Sequence, residues 1–257
     1  MVSRARTWGA VKNSSYGVGK LFMRGAEWDR SRGVGSFPMD RRILRVELGI
    51  RIEHDPSVGP LASCNDRDVK LIYQGADPGI EWRTFCSCRE GQVVAIPFET
   101  LTAYSGRADC PPTGRCNFGL NLRLTDPAIG SAAWSAFIAA QSPHPSRAQE
   151  RLSAILGTGP SSVGSNRSLS AVLGAHTWSL LLSGLRQLCR EYPALSDSDT
   201  IVYAPCVEGV GCYPMVDSSL RMPNLPLWVC GDATGLFRGN TAALVSGYYC
   251  GLIAGSA

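Results

Sequence analysis

The sequence predicts an α/β fold that carries an α+β insert, and three observations support this prediction. Residues 43–124 contain runs of alternating apolar and polar residues, which is the pattern of β-strands. Residues 128–192 contain apolar residues at helical spacing. The C-terminal region contains an apolar run, a Gly-Asp turn and a segment of small residues that is typical of a helix.

The order of these patterns predicts three segments. A basic N-terminal segment covers residues 1–40, a β-rich and then helical domain covers 41–195, and the C-terminal part of an α/β domain covers 196–257. Met1–Ala26 has five Lys or Arg residues and no acidic residue, a composition similar to that of an organelle transit peptide. The interpretation that we favour is that Gly17–Trp28 is a helical remnant of the same α/β domain as the C-terminus.

The strand predictions depend on alternation and on turn residues. Because polar and apolar residues alternate without a break in the first strand, we expect one of its faces to be buried. Ser87–Gly91 separates two strand-like runs and indicates a hairpin. The predicted strands of this domain are Leu44–Glu53, Val69–Tyr73, Glu81–Cys86, Gln92–Pro97 and Phe118–Leu124.

Helices are predicted in the second half of the same domain, at Ala128–Ala140, Ala148–Leu156 and Leu173–Tyr192. In the longest of them, Leu181, Leu185 and Leu188 share one face, and Pro193 ends the helix. Beyond it, short strands of the C-terminal domain are expected at Thr200–Tyr203 and Leu227–Cys230.

The ten cysteines and three histidines do not predict a metal site. No Cys-x-x-Cys pair occurs, and His54, His144 and His176 lie far apart in the sequence, so we expect no metal. No apolar stretch typical of a secretory signal follows Met1, so structural disulfides are not expected either.

Cys86 and Cys88 are the candidate catalytic residues. Residues i and i+2 of a strand face the same side. Arg83 and Arg89 are close in sequence and could lower the pKa of the two thiols, which would favour a nucleophilic or redox role. The alternative is that both thiols pack inside the sheet.

The C-terminal motif, Trp228–Gly247, reads WVCGDATGLFRGNTAALVSG. A strand, a Gly-Asp turn and a helix form the layout that holds a nucleotide cofactor at the edge of an α/β sheet. Gly231 and Gly235 allow close approach of a ligand, and Asp232 can accept hydrogen bonds from hydroxyl groups. The helix that begins at Gly239–Thr241 favours an anionic partner. An ordinary turn between a strand and a helix would have the same features, so both interpretations stay open at this point.

Five blocks resemble, in the same order, bacterial FAD-dependent oxidoreductases, a group also described as NAD-utilising dehydrogenases, of the glutathione-reductase-like flavoprotein superfamily. The C-terminal motif is similar to their FAD motif, in which Gly-Asp precedes Arg-Gly and a small-residue helix. The other four blocks are Val46–Glu53, Arg83–Val94, Asn117–Leu120 and Val202–Glu208. The resemblance covers most of the chain from Val46 onward.

This resemblance implies an oxidoreductase that transfers hydride between a substrate and FAD, with NAD(P)H as a candidate electron donor. It implies a β-rich substrate domain followed by the C-terminal part of a Rossmann-like FAD-binding domain. Asp232 would hold the ribityl chain, and the backbone from Arg238 to Thr241 would stabilise the reduced pyrimidine ring. The implied FAD-binding residues are Gly231, Asp232, Thr234, Gly235, Arg238, Gly239, Asn240 and Thr241.

The Gly-x-Gly-x-x-Gly fingerprint that holds the FAD pyrophosphate in such proteins is missing. Gly17-Val-Gly19 lacks the third glycine, and Gly157-Thr-Gly159 is followed by Pro160. Three interpretations follow. A partner chain supplies the missing half, or the gene is a fragment, or the chain has lost flavin and serves as a non-catalytic scaffold subunit in a larger complex.

Composition narrows the remaining classes of function. The net charge is +4 and the basic residues are scattered, so we expect no nucleic-acid partner. Ala242–Ala254, the longest apolar stretch, is interrupted by Ser246 and two glycines and is shorter than the ~20 residues of a membrane span. We therefore expect a cytoplasmic protein with a small-molecule substrate and a partner chain, and the basic N-terminus makes the organelle matrix the alternative.

Overall fold

The structure is a computed structural model, and it describes residues 41–255 except 66–67, 99–100, 143, 145, 160–166, 198, 224, 226 and 238. The predictions for residues 1–40 lie outside the described residues. Two compact units are present. Arg45–Val210 form the first, which we call the sheet unit, and the described residues from Gly211 onward belong to the second, which we call the C-terminal unit.

The chain is a mixed α and β structure of the α+β type, with strands and helices in the following order. The elements are β1 (Arg41–His54), β2 (Ile72–Gln74), β3 (Ile80–Cys88), β4 (Gln92–Phe98), β5 (Leu101–Arg107), β6 (Cys116–Leu124), α1 (Pro127–Ala140), β7 (Ala148–Arg151), α2 (Leu152–Leu156), α3 (Leu169–Leu173), α4 (Ala175–Glu191), α5 (Ala194–Asp197), β8 (Ile201–Pro214), a 3-10 turn (Gly231–Thr234) and α6 (Asn240–Gly255). A Rossmann-like domain is not found among these described elements.

Six strands form one sheet in the order β2-β3-β6-β1-β8-β7, and β4 and β5 form a separate two-stranded sheet. Strands β1 and β3 both pair antiparallel with β6, so that Arg51 and Phe85 lie on either side of Gly119. The central strand β1 confirms the predicted strand at Leu44–Glu53. Our expectation of a single buried face is wrong, however, because residues 46–52 are buried on both faces.

Helices α1 and α4 cover the apolar face of the sheet. The indole ring of Trp82 lies against Gly184 of α4, and its Nε1 donates a hydrogen bond to the Leu180 carbonyl at 2.9 Å. On α1, a Cβ added to Gly130 would lie 3.2 Å from Val46 Cγ2. These two helices confirm the predictions at Ala128–Ala140 and Leu173–Tyr192, and β6 confirms the strand at Phe118–Leu124.

Three predictions of local structure are wrong. Strands β3 and β4 do not form a hairpin, because β3 pairs with β2 and β6 while β4 pairs with the unpredicted strand β5. The predicted helix at Ala148–Leu156 begins as strand β7, since Ala148–Arg151 pair with β8. The segment Leu227–Cys230 is not a strand, and of its residues Trp228 forms an isolated bridge with Arg221.

Strand β8 is longer than the strand predicted at Thr200–Tyr203, because it continues to Pro214. The two compact units meet in sequence within this strand, at Val210, whereas our prediction placed the domain boundary at residue 195. None of the helices in the described part of the chain is long and apolar enough to span a membrane.

Candidate functional site

The two groups of predicted site residues lie in different units. Cys86 and Cys88 belong to the sheet unit, where the register of three strands determines their neighbours. Cys88 lies opposite Asn117 on β6, and Asn117 lies opposite Glu53 on β1, two residues after Arg51. Because opposite residues of paired strands share a face of the sheet, Arg51, Asn117 and Cys88 come together. We call these three residues the Arg51 cluster.

Arg51 makes the hydrogen bonds that hold this cluster together. Its side chain is fully buried. Nε donates to Asn117 Oδ1 at 2.8 Å, and Nη2 donates to the same oxygen and to the Asn117 carbonyl. Nη2 also donates to the Cys86 carbonyl at 2.6 Å and to Cys88 Sγ at 3.3 Å. The guanidinium therefore connects β1, β6 and the end of β3.

A β-bulge gives the two predicted catalytic cysteines different environments. The pairing of β3 with β6 shifts register between Phe85 and Cys88. Cys86 lies in this shift with a φ of +48°, in the left-handed region that a residue with a Cβ rarely adopts. Its side chain is exposed, whereas the Cys88 side chain is buried. Only Cys88 contacts Arg51 through its sulfur atom.

The pKa values of both thiols are raised, which corrects the expectation that nearby arginines lower them. Desolvation is the largest cause for both, and the negative charge of Glu208 adds to it at Cys86. Arg51 opposes the shift without reversing it. Arg89 instead donates hydrogen bonds to the backbone carbonyls of Leu61 and Cys64. Both cysteines are therefore mainly protonated at neutral pH.

The β4–β5 hairpin covers the Arg51 cluster with its backbone. A Cβ added to Gly106 of β5 would collide with the Arg51 guanidinium and would lie 2.7 Å from Asn117 Oδ1. A Cβ added to Gly91, just before β4, would lie 2.5 Å from Cys88 Cβ. The two glycines thus allow the hairpin to lie directly on the polar side chains of the sheet.

In the C-terminal unit, the first part of the predicted cofactor motif forms a compact turn. Gly231–Thr234 form one turn of 3-10 helix, and Gly235 follows with a φ of +73°. The buried Thr234 hydroxyl donates to the Gly231 carbonyl at 2.9 Å, and it accepts a hydrogen bond from the Leu236 amide. A Cβ on Gly235 would lie 2.6 Å from the Tyr213 ring. Thr234 and Gly235 therefore have structural roles in the turn.

The second part of the motif begins helix α6. Gly239 has a φ of +88°, and a Cβ built there meets no atom within 4 Å. Asn240 and Thr241 follow as exposed residues in the first turn of the helix. This confirms that a helix opens at Gly239–Thr241. Arg238 lies outside the described residues.

Asp232 is partly buried, and its backbone carbonyl accepts a hydrogen bond from the Gly235 amide at 2.9 Å. It follows an irregular segment rather than a strand, so the described structure does not place it at the carboxyl edge of a parallel sheet. The nearby Gly231 amide donates to Ser246 Oγ at 2.8 Å, which links the turn to α6.

Arg51 and Ser246 were not among the site residues predicted from the sequence. Asn117 was included there only within the block Asn117–Leu120. Arg51 occupies a polar position of an alternating strand, which normally indicates a solvent-exposed side chain. Ser246 is a polar residue within the apolar stretch Ala242–Ala254, and this isolated position could have identified it as a buried hydrogen-bonding residue. Within the described residues, no group of three or more His, Cys, Asp or Glu side chains has the arrangement of a metal site.

Comparison with known proteins does not identify a family for this chain. No protein-family model matches it, and no curated protein sequence matches it either.

Proposed function

We propose that this chain is the distal portion of an FAD-dependent oxidoreductase that moves hydride between a small-molecule substrate and flavin. A partner chain with a Gly-x-Gly-x-x-Gly fingerprint supplies the other half of the FAD-binding domain. When bound, FAD supplies the hydride acceptor or donor, and the protein orients it. The sheet unit serves as the substrate domain. The proposal is supported first by the resemblance of the five sequence blocks.

The backbone geometry of the C-terminal motif is the observation that carries the proposal. Gly231, Gly235 and Gly239 all adopt positive φ values, and the last of them leads directly into a helix of 16 residues. Amide groups in the first turn of such a helix have no intrahelical partner and attract electron-rich groups. A Cβ built on Gly239 meets no atom within 4 Å, and Asn240 and Thr241 in the first turn are exposed. In the proposed holoenzyme, this helix start would bind the flavin pyrimidine ring and Asp232 the ribityl chain.

The outer surface of α6 supports the need for a partner chain. Leu244, Val245 and Tyr248 form one apolar patch on this helix, and their exposed fractions are 74%, 62% and 72%. Large apolar patches of this kind mark interaction surfaces. The opposite face of α6 carries Ser246 and Cys250, which are buried. We propose that the patch packs against the partner chain that completes the FAD-binding domain.

A non-catalytic scaffold subunit is the second candidate function. The raised pKa values of Cys86 and Cys88 favour it over thiol catalysis, because neither thiol is poised as a thiolate at neutral pH. In the flavin proposal, hydride transfer does not require a thiolate, and the proposed catalytic role of Cys86 is limited to contact with substrate at the exposed bulge. The two functions differ in whether the assembled complex contains flavin.

An absorption spectrum and an FAD titration test the proposal. The full chain, purified with its natural partner, should show flavin absorbance, and the chain alone should bind added FAD weakly. Asp232→Ala should weaken FAD binding by the complex by about 1.5–3 kcal/mol, through loss of a charge-assisted hydrogen bond. Asp217→Ala, which removes a carboxylate of the same unit outside the motif, should leave the affinity unchanged. A complex without flavin would support the scaffold function.

A second experiment tests the occupant of the α6 patch. Tyr248→Lys should release the partner chain and, with it, the flavin, while leaving the isolated chain folded as judged by circular dichroism. Arg186→Glu on the exposed face of α4 is the matched control and should retain both. If deletion of residues 1–40 exposes the patch to proteolysis, this segment of the same chain is the occupant and the partner proposal is wrong.

A further inference from the structure

Arg51 and Arg123, which are fully and partly buried on the polar face of the sheet, differ in how their charges are balanced. Arg123 on β6 contacts the carboxylates of Glu47 at 2.7 Å and Glu81 at 3.4 Å. Arg51 is more deeply buried than Arg123, yet no carboxylate of the described residues lies within ion-pair distance of it. On the same strand, Glu53 instead contacts Arg115 at 3.6 Å.

This arrangement leaves a permanent positive charge inside the sheet unit. A guanidinium stays protonated in proteins, so burial cannot neutralise it. Burial of a charge is strongly unfavourable unless an opposite charge and hydrogen bonds compensate. Cys88 Sγ, a group that could become an anion, lies 3.3 Å from Nη2. Desolvation raises the pKa of that thiol, which keeps it neutral at pH 7.

Two hydrogen-bond donors of the Arg51 cluster also have no partner. Arg51 Nη1 and Asn117 Nδ2 are buried and make no hydrogen bond in the described structure. Both side chains are fully buried, and buried polar groups in proteins are normally paired. The guanidinium and the amide are hydrogen-bonded to each other, and each thus retains one unpaired donor beneath the β4–β5 hairpin.

We propose that Arg51 and Asn117 bind the carboxylate group of a small organic acid. A carboxylate carries one negative charge and has two oxygens that accept hydrogen bonds, which matches a guanidinium charge and the two unpaired donors, Arg51 Nη1 and Asn117 Nδ2. The hairpin glycines Gly91 and Gly106 lie against the same side chains and close the site from above. The inference does not rest on flavin binding, because all of these residues belong to the sheet unit.

Formate, the smallest carboxylate, tests this site in the full chain. Sodium formate should raise the midpoint of thermal unfolding in a saturable way, compared with sodium chloride at equal ionic strength. Calorimetric titration should give the dissociation constant directly. Asn117→Asp places a carboxylate against Arg51 Nε and Nη2. This variant should unfold at a higher temperature without formate, and its affinity for formate should fall by at least about tenfold.

The matched control is Asn121→Asp, the same change on the same strand at a buried position with no hydrogen bond to Arg51. It should retain formate binding. If Asn117→Asp does not fold, Arg51→Gln serves the same purpose, because it removes the charge and should abolish binding. Equal midpoints in formate and chloride, together with no calorimetric signal, would overturn the inference, and so would undiminished formate binding by Asn117→Asp.

Larger acids distinguish a carboxylate group that belongs to a substrate from a small free anion. If lactate or pyruvate binds more tightly than formate, the site holds the carboxylate end of a substrate. If formate binds and the larger acids do not, the site holds a lone small anion that balances the charge of Arg51. Either result supports a carboxylate site.

Discussion

The core of the sheet unit and helix α6 of the C-terminal unit differ in how closely glycines and apolar side chains are packed. In the sheet unit, Gly119 and Gly184 lie so close to the rings of Phe85 and Trp82 that a Cβ would collide with them. In the C-terminal unit, a Cβ on Gly251 of α6 meets no atom within 4 Å, and Tyr248 on the same helix is exposed. Apolar side chains and glycines are therefore closely packed in the core of the sheet unit, whereas α6 has an exposed apolar face.

The largest expected difference between the two regions is in the free energy of unfolding that is lost when an apolar side chain is truncated. Phe118 on β6 is buried and packs edge-to-face against His54, with ring centroids 5.4 Å apart. Phe118→Ala should lower the free energy of unfolding by about 3–5 kcal/mol, because it leaves a cavity. Leu244→Ala on α6 should change it by less than about 0.5 kcal/mol. Urea unfolding of both variants measures the contrast, and similar effects would show that α6 is as well packed as the sheet.

A disulfide should stabilise the C-terminal unit. Cys250 Sγ on α6 donates to the carbonyl of Val229, the residue before Cys230, at 3.8 Å, and burial together with Cys230 raises the pKa of Cys250 to about 11. The Cys230 sulfur lies 3.9 Å from the position of a Cβ on Gly247, one turn before Cys250 on the same helix. Diamide should therefore oxidise the two thiols to a disulfide and itself be reduced to the hydrazine. Closing a loop of about 20 residues should stabilise this region by roughly 3 kcal/mol.

Peptide mapping under non-reducing conditions identifies the cross-link, and proteolysis of the C-terminal region measures its effect. Cys230→Ser is the control and should be insensitive to diamide in this region. A cross-link of Cys230 to any cysteine other than Cys250 would contradict the geometry of α6. So would unchanged proteolysis after the expected bond has formed.

Substitution of a glycine by alanine should have opposite effects in the hairpin and in α6. Gly106→Ala in the hairpin would press a methyl group against the Arg51 guanidinium, so it should lower the free energy of unfolding by about 1–3 kcal/mol. Gly251→Ala adds a methyl group in open space within a helix and should raise it by up to about 1 kcal/mol. Thermal unfolding of both variants is the measurement. Destabilisation by Gly251→Ala would mean that α6 is covered at this position.

The sequence predicted the elements whose signals are local. Alternation over ten residues identified β1, and the spacing of Leu181, Leu185 and Leu188 identified α4, because each pattern lies within one short stretch of the sequence. Arg51 could not be recognised as buried in the same way. Its burial depends on the β4–β5 hairpin, which is remote in sequence and contains the unpredicted strand β5.

The two predicted sites also differ in whether their structure depends on local sequence or on residues that are remote in sequence. The start of α6 after Gly239 was predictable, since a glycine next to a small-residue segment is a local signal. The environments of Cys86 and Cys88 were not, because the bulge after Phe85 arises from pairing with β6 and changes which side chain is buried. Similarly, Ala148–Arg151 have a helical composition but form β7 through pairing with β8.

The last expected effect is a pH dependence that originates in the sheet unit. His54 is buried, its Nδ1 lies 2.8 Å from the Asp55 carbonyl, and desolvation lowers its pKa below the ordinary value of 6.5. The folded state therefore binds this proton less readily than the unfolded state. Its contribution to stability is complete above pH 6.5 and declines as the pH falls below that value, by up to about 1.4 kcal/mol per pH unit. His54→Gln should flatten the decline between pH 6.5 and 5 in urea unfolding, although it is less stable at pH 7. His176→Gln, at an exposed position of α4, should keep the wild-type slope, and an unchanged slope for His54→Gln would assign the pH dependence to other groups.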